Sequence, residues 1–194
     1  VAREESARCK DAGVDPRAPR RFVGRADALA RLHEAYRCAV AGEPAGVLVC
    51  GPAGIGKSTL VARFLQESGA RQVLTGACVR LADDMSSFVP FVGVLRSVVR
   101  LHGVEGIDAL VGRTGRAHLA HLLPDLGDPP AADDATRSRI FGAVLGLLER
   151  LAVDEPVVVL IEDLHWADPS TSDLCAFLVR NLVDARVLVV GTHR

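Results

Sequence analysis

One eight-residue run narrows the folds open to this chain more than any other feature. Gly51-Pro52-Ala53-Gly54-Ile55-Gly56-Lys57-Ser58 satisfies the spacing GxxxxGK[ST], and the apolar run Val47-Leu48-Val49-Cys50 leads directly into it. Behind it, Leu60, Val61, Phe64 and Leu65 recur at helical spacing. The local reading is therefore strand, glycine loop, helix. Glycines let the backbone curl until successive N–H groups point at phosphate oxygens, and the helix start adds partial positive charge. In that setting the Lys57 ammonium reaches β- and γ-phosphates, and the Ser58 hydroxyl is a ligand for Mg²⁺. Of the 23 basic residues only Lys10 and Lys57 are lysines. In a chain that otherwise uses arginine, a lysine here fits a cradle that needs a compact point charge.

The rest of the chain supplies a matching scaffold. Strands are expected at 47–50, 72–79, 157–161 and 186–191, and helices from Asp27, over 57–67, over 137–151, and from Asp168-Pro169 to about Leu182. Two further helical patterns occupy the middle. One is marked by Val89, Val92, Leu95, Val98 and Val99, the other by Leu110, Leu119, Leu122 and Leu123. Residues 125–134, rich in Pro and Asp, read as a loop. The runs at 47–50 and 157–161 lack polar alternation, so each is expected to be fully buried. Alternating strands and helices predict a three-layer α/β/α fold around a mainly parallel sheet. Residues 1–20, with Pro16, Pro19 and scattered charges, read as a tail; residues 21–194 form the expected domain.

Composition excludes several classes. Of 194 residues, 49% are apolar and 24% charged, which provides for a core and argues against general disorder. A net charge of −1 argues against a strongly basic nucleic-acid binder. No apolar run approaches the roughly 18 residues of a membrane span. The five cysteines, Cys9, Cys38, Cys50, Cys78 and Cys175, form no CxxC pair. A reducing cytoplasm is the expected compartment, with Cys50, Cys78 and Cys175 as small buried hydrophobes.

Two more sets of residues carry chemistry. The apolar run 157–161 ends in Glu162-Asp163, the Walker B arrangement. By position Glu162 holds Mg²⁺, directly or through water, and Asp163 orients or deprotonates the attacking water. Thr192 and Arg194, expected just past the fourth strand, are placed to sense and neutralise a γ-phosphate, or simply to be a solvated chain end. Arg17, Arg20 and Arg21 read as a solvated tail, and His118 and His121 as surface histidines. Trp166 packs beside the site or caps the core.

Together, RFVGR at 21–25, GPAGIGKST, LIEDLHWADPST and LVVGTHR resemble one family over residues 21–194. These are bacterial AAA-type ATPase domains of the origin-recognition-complex-like group, within the signal-transduction ATPases with numerous domains (STAND). They form the N-terminal module of large LuxR-family transcriptional regulators. The resemblance implies that Phe22, Val23 and Gly24 lie near adenine. It implies that Gly51, Pro52, Ala53, Gly54, Ile55, Gly56, Lys57, Ser58 and Thr59 hold the phosphates and Mg²⁺ of ATP. Glu162 and Asp163 become the Walker B acids, and Thr192 and Arg194 the sensor. Glu162 stands where aspartate is frequent, so hydrolysis ranks below binding. Such domains continue into a fifth strand and a helical lid. The resemblance thus implies a chain stopping short of both, with 47–50 as an open sheet edge.

The expected function is an ATP-binding, slowly hydrolysing switch whose partners are the other domains of a parent regulator or another chain. The alternative is a non-catalytic nucleotide-binding or interaction module left by truncation. A phosphotransferase lacks an evident acceptor site. Direct contact with nucleic acid is not expected, since charge is balanced and no helix-turn-helix pattern is present.

Overall fold

The computed structural model describes residues 25–80 and 87–194. Phe22, Val23 and Gly24, with Cys9, Arg17, Arg20 and Arg21, lie outside the described residues. Nine principal elements follow in the order α1 (Ala26–Val40), β1 (Ala45–Cys50), α2 (Lys57–Ser68), β2 (Gln72–Ala77), α3 (Val89–Leu119), α4 (Thr136–Asp154), β3 (Val157–Glu162), α5 (Pro169–Asn181) and β4 (Val187–His193). The four strands form one sheet in the order β1-β4-β3-β2, and every pairing is parallel. Parallel pairing requires each return to cross over a face of the sheet, and helices make those crossings.

Side-chain alternation along the two inner strands divides the interior. Val158, Leu160, Leu188 and Val190 meet α1 and α2 through Leu32, Leu60 and Phe64. Their neighbours Val157, Val159, Ile161, Val187 and Val189 enter the opposite core, with Phe91, Leu147 and Leu174. Because β3 is covered on both faces, its run needs no polar residue until Glu162.

β1 takes the edge position that the resemblance implied for 47–50 but not the full burial that its apolar run implied. It lies at the edge of the sheet, its residues alternate between half-buried and exposed, and Leu48 is 55% exposed. Cys50 is likewise exposed, whereas Cys78 is buried and Cys175 half-buried. An apolar run without alternation does not distinguish an inner strand from an edge strand. Burial pushes the Cys78 thiol up to about 11, with Asp168 and Asp163 adding to the shift. The Cys175 thiol rises to about 12, again chiefly by burial.

The middle segment carries the expected separate helical patterns, but its helical span stops at Leu119 rather than near Leu123. It runs from Val89 to Leu119 and is broken at Gly103 and Gly112, where φ is 70° and 71°. Leu122 and Leu123 follow it in a turn yet are buried. His118 and His121 are half-buried, so they are not simple surface histidines. The start of α3 crosses β2 at Gly76, where an added Cβ would stand 1.9 Å from the Pro90 carbonyl oxygen. Only glycine admits that approach.

Candidate functional site

In an all-parallel sheet every strand delivers its carboxyl end to the same rim. The loop after β1, the residues after β2, the acids ending β3 and the last residues of β4 therefore converge. Gly51 N–H donates to the His193 carbonyl at 3.2 Å, and Cys78 N–H donates to the Glu162 carbonyl at 2.9 Å, which ties the strand ends together along this rim.

The loop turns through Gly54 at φ 74° and Gly56 at φ 89°, conformations that side-chain-bearing residues rarely adopt. Gly56 is also the N-cap of α2. No side chain there accepts from the first-turn amides, and no acidic residue lies in that turn. These amides face the loop with their partial positive charge uncompensated by a side chain. Pro52, Ala53, Gly54 and Ile55 are exposed at the loop surface, as are Ser58 and Thr59 on the first turn of α2. Lys57 is different: only 9% of it is exposed. Its Nζ donates to the Gly51 carbonyl at 2.8 Å and to the Pro52 carbonyl at 3.1 Å. The ammonium is thus held inside the loop by carbonyl oxygens.

Glu162 is half-buried at the end of β3, and Asp163 is exposed just beyond it. Asp163 adopts φ 55°, ψ 44°, and its backbone N–H donates to Thr192 Oγ1 at 2.9 Å. Thr192 is buried at 2% exposure and lies within β4, so the expectation that it follows the strand is corrected: β4 reaches His193. Its hydroxyl fixes the turn that presents Asp163. Gly191 makes room for the same turn, since a Cβ there would meet Leu164 Cδ1 at 2.4 Å.

Sequence reasoning passed over Arg80 and the second role of Asp168, and left the surroundings of His165 and Trp166 open. His165 Nδ1 lies 3.8 Å from Asp163 Oδ1. Both its ring nitrogens are buried without a hydrogen-bond partner among the described residues. Burial, then the charge of Arg194, holds its pKa below the ordinary value; His193 and Lys57 add to this and Asp163 opposes it. Trp166, 37% exposed, packs against the His165 ring at 4.9 Å with the ring planes tilted by 44°. Arg80 lies 5.1 Å from the Trp166 ring and Arg194 5.8 Å from it. Asp168, the expected N-cap of α5, accepts from Thr171 N–H at 3.0 Å. It also accepts from Phe88 N–H at 3.2 Å, a link across 80 residues that no local pattern announces.

Hard oxygen donors are what a small divalent cation takes, and Ser58 and Glu162 supply a hydroxyl and a carboxylate at this rim. Among the described residues no group of three His, Cys, Asp or Glu side chains converges as a self-sufficient metal site. The donor set therefore suits an ion that arrives with phosphate oxygens. No helix among the described residues is long and apolar enough to cross a membrane.

Comparison with known proteins agrees with this geometry. An uncharacterized protein of Rhizobium meliloti (strain 1021) is 28% identical over 192 aligned positions, covering 89% of this chain. The chain spans 18% of that protein's length. The model of the AAA ATPase domain matches residues 21–190. With the parallel sheet and a glycine loop feeding an uncapped helix, this match shows that the chain belongs to the AAA ATPase domain family, whose members bind nucleotide.

Proposed function

We propose that this domain binds ATP with Mg²⁺ on the 51–59 loop and hydrolyses it slowly, as a switch within a larger signalling or transcriptional regulator of the STAND, LuxR-like kind. The observation that carries the reading is Lys57, buried and bonded to the Gly51 and Pro52 carbonyls at the mouth of an uncapped helix. A phosphate brings charge-assisted acceptors stronger than those carbonyls, so the ammonium exchanges partners and the loop amides close on the anion. Gly51, Pro52, Ala53, Gly54, Ile55, Gly56 and Thr59 supply the backbone of that cradle. Ser58 and Glu162 hold Mg²⁺, which when bound neutralises charge on the phosphate oxygens. Asp163, set by its bond to Thr192, orients the attacking water. Thr192 and Arg194 answer to the terminal phosphate, and Phe22, Val23 and Gly24 flank the adenine.

Partner domains are proposed to dock along β1. Among the described residues no strand pairs with its outer edge, and an apolar groove lined by Gly46, Leu48, Leu164, Cys175 and Val179 runs beside it. Titration calorimetry with MgATP, MgADP and MgGTP, on this chain and on Lys57→Ala, tests the site. The expected result is micromolar adenine-nucleotide binding that weakens at least about tenfold in the variant, equivalent to about 1.4 kcal/mol. Equal binding by both proteins refutes the reading. If binding holds and Asp163→Asn leaves phosphate release unchanged, the hydrolytic role of Asp163 is wrong.

A further inference from the structure

We propose that Trp166 is a positioning residue that retains Arg194 until a third phosphate occupies the loop, and so sets the preference for nucleoside triphosphate over diphosphate. The inference rests on the nucleotide site proposed above. Trp166 ends the turn Leu164–Trp166 that follows β3. One guanidinium reaches its ring from the segment after β2 and one from the segment after β4, the two strands that flank β3 in the sheet. The indole therefore gathers Arg80 and Arg194 above the end of the middle strand. His165 backs it at 4.9 Å and itself meets the His193 ring at 5.9 Å.

Neither Arg80 nor Arg194 has a carboxylate within ion-pairing distance among the described residues. Two like charges share one ring, the contact that holds both guanidinium groups among the described residues. A cation–π contact on a partly exposed indole is weaker than a forked guanidinium–phosphate pair. The corner and the loop also share one field: Lys57, Arg194 and His193 all disfavour charge on His165. A terminal phosphate seated on Lys57 thus competes for Arg194 and wins. A diphosphate leaves Arg194 on the ring.

Trp166 is the one tryptophan in the chain, so its fluorescence reports on this contact without labelling. Emission is recorded with MgATP, a non-hydrolysable ATP analogue and MgADP, with binding measured in parallel by calorimetry on the same protein. The expected result is an emission change with ATP and the analogue, none with ADP, and none in Arg194→Ala at ATP concentrations that saturate its weakened site. Trp166→Leu is expected to tighten ATP about threefold and leave ADP unchanged, with Trp166→Phe intermediate. A Lys57-dependent ATP complex whose emission matches that with ADP overturns the inference while leaving the nucleotide site intact. So does a Trp166→Leu variant that shifts both nucleotides equally. Absence of binding by the unaltered protein overturns the site and the inference together.

Discussion

Asp168 shows how one carboxylate can serve two elements. Its side chain caps the first turn of α5 through Thr171 and holds the Phe88 amide at the entry to α3. Burial opposes its charge, but the bonds from Thr171, Phe88 and Ser170 prevail and keep its pKa below the ordinary value. Asp168→Ala should lose the cap, worth about 1 kcal/mol, and strand the Phe88 amide, for a total of about 2–3 kcal/mol by denaturant unfolding. Asp168→Asn, which retains an acceptor oxygen, should cost about half as much or less. A cap bond alone would give Ala a loss near 1 kcal/mol and no change at α3. The capping half was legible in Asp168-Pro169; the Phe88 half was not, because it joins residues 80 apart. His165 and Trp166 were hard to assign for a related reason. Their environment comes from Arg80, His193 and Arg194, which only the sheet order brings near.

At the scale of elements, strand and helix identities followed from periodicity, and the departures have physical causes. The apolar run of β1 read as fully buried, yet strand order is a tertiary property and puts β1 at the edge, where the family resemblance had placed it. Gly103 and Gly112 adopt non-helical φ and ψ and divide α3 into successive helical pieces, whose Ile107 and Leu119 still enter the core. Gln72 escaped notice. Buried at the start of β2, its Nε2 donates to the Leu151 and Glu155 carbonyls at 3.2 Å each, and with the Arg186 guanidinium, which donates to the Ala152 and Val153 carbonyls, it closes the end of α4. The contact between α3 and β2 yields a sharper expectation. Gly76→Ala sets a methyl against backbone at Pro90, which cannot swing aside as a side chain would. A loss of at least about 2–3 kcal/mol is expected in thermal or denaturant unfolding, the upper range for overpacking. A loss below about 0.5 kcal/mol would mean that α3 lifts freely from the sheet.

For the molecule as a whole, pH should act through the rim that carries the site. The folded state keeps His165 neutral below its ordinary value of 6.5, so the unfolded chain binds the extra proton first. Stability therefore falls as pH drops through 6.5 toward the lowered value, and Asp168 adds a further loss nearer and below 3.8. Melting temperatures from pH 8 to pH 5 should decline, and His165→Asn should flatten the decline between pH 6.5 and 5. An unchanged slope would place the responsible group elsewhere. The all-parallel sheet has one more consequence. Every described segment assigned to nucleotide leaves a strand at one rim, so the turns at the other rim, around Glu43, Ala70, Glu155 and Asp184, touch none of them. Chain inserted at those turns can lengthen without redrawing the site. A domain of this kind can thus be spliced into larger polypeptides from its far side while its chemistry stays in place.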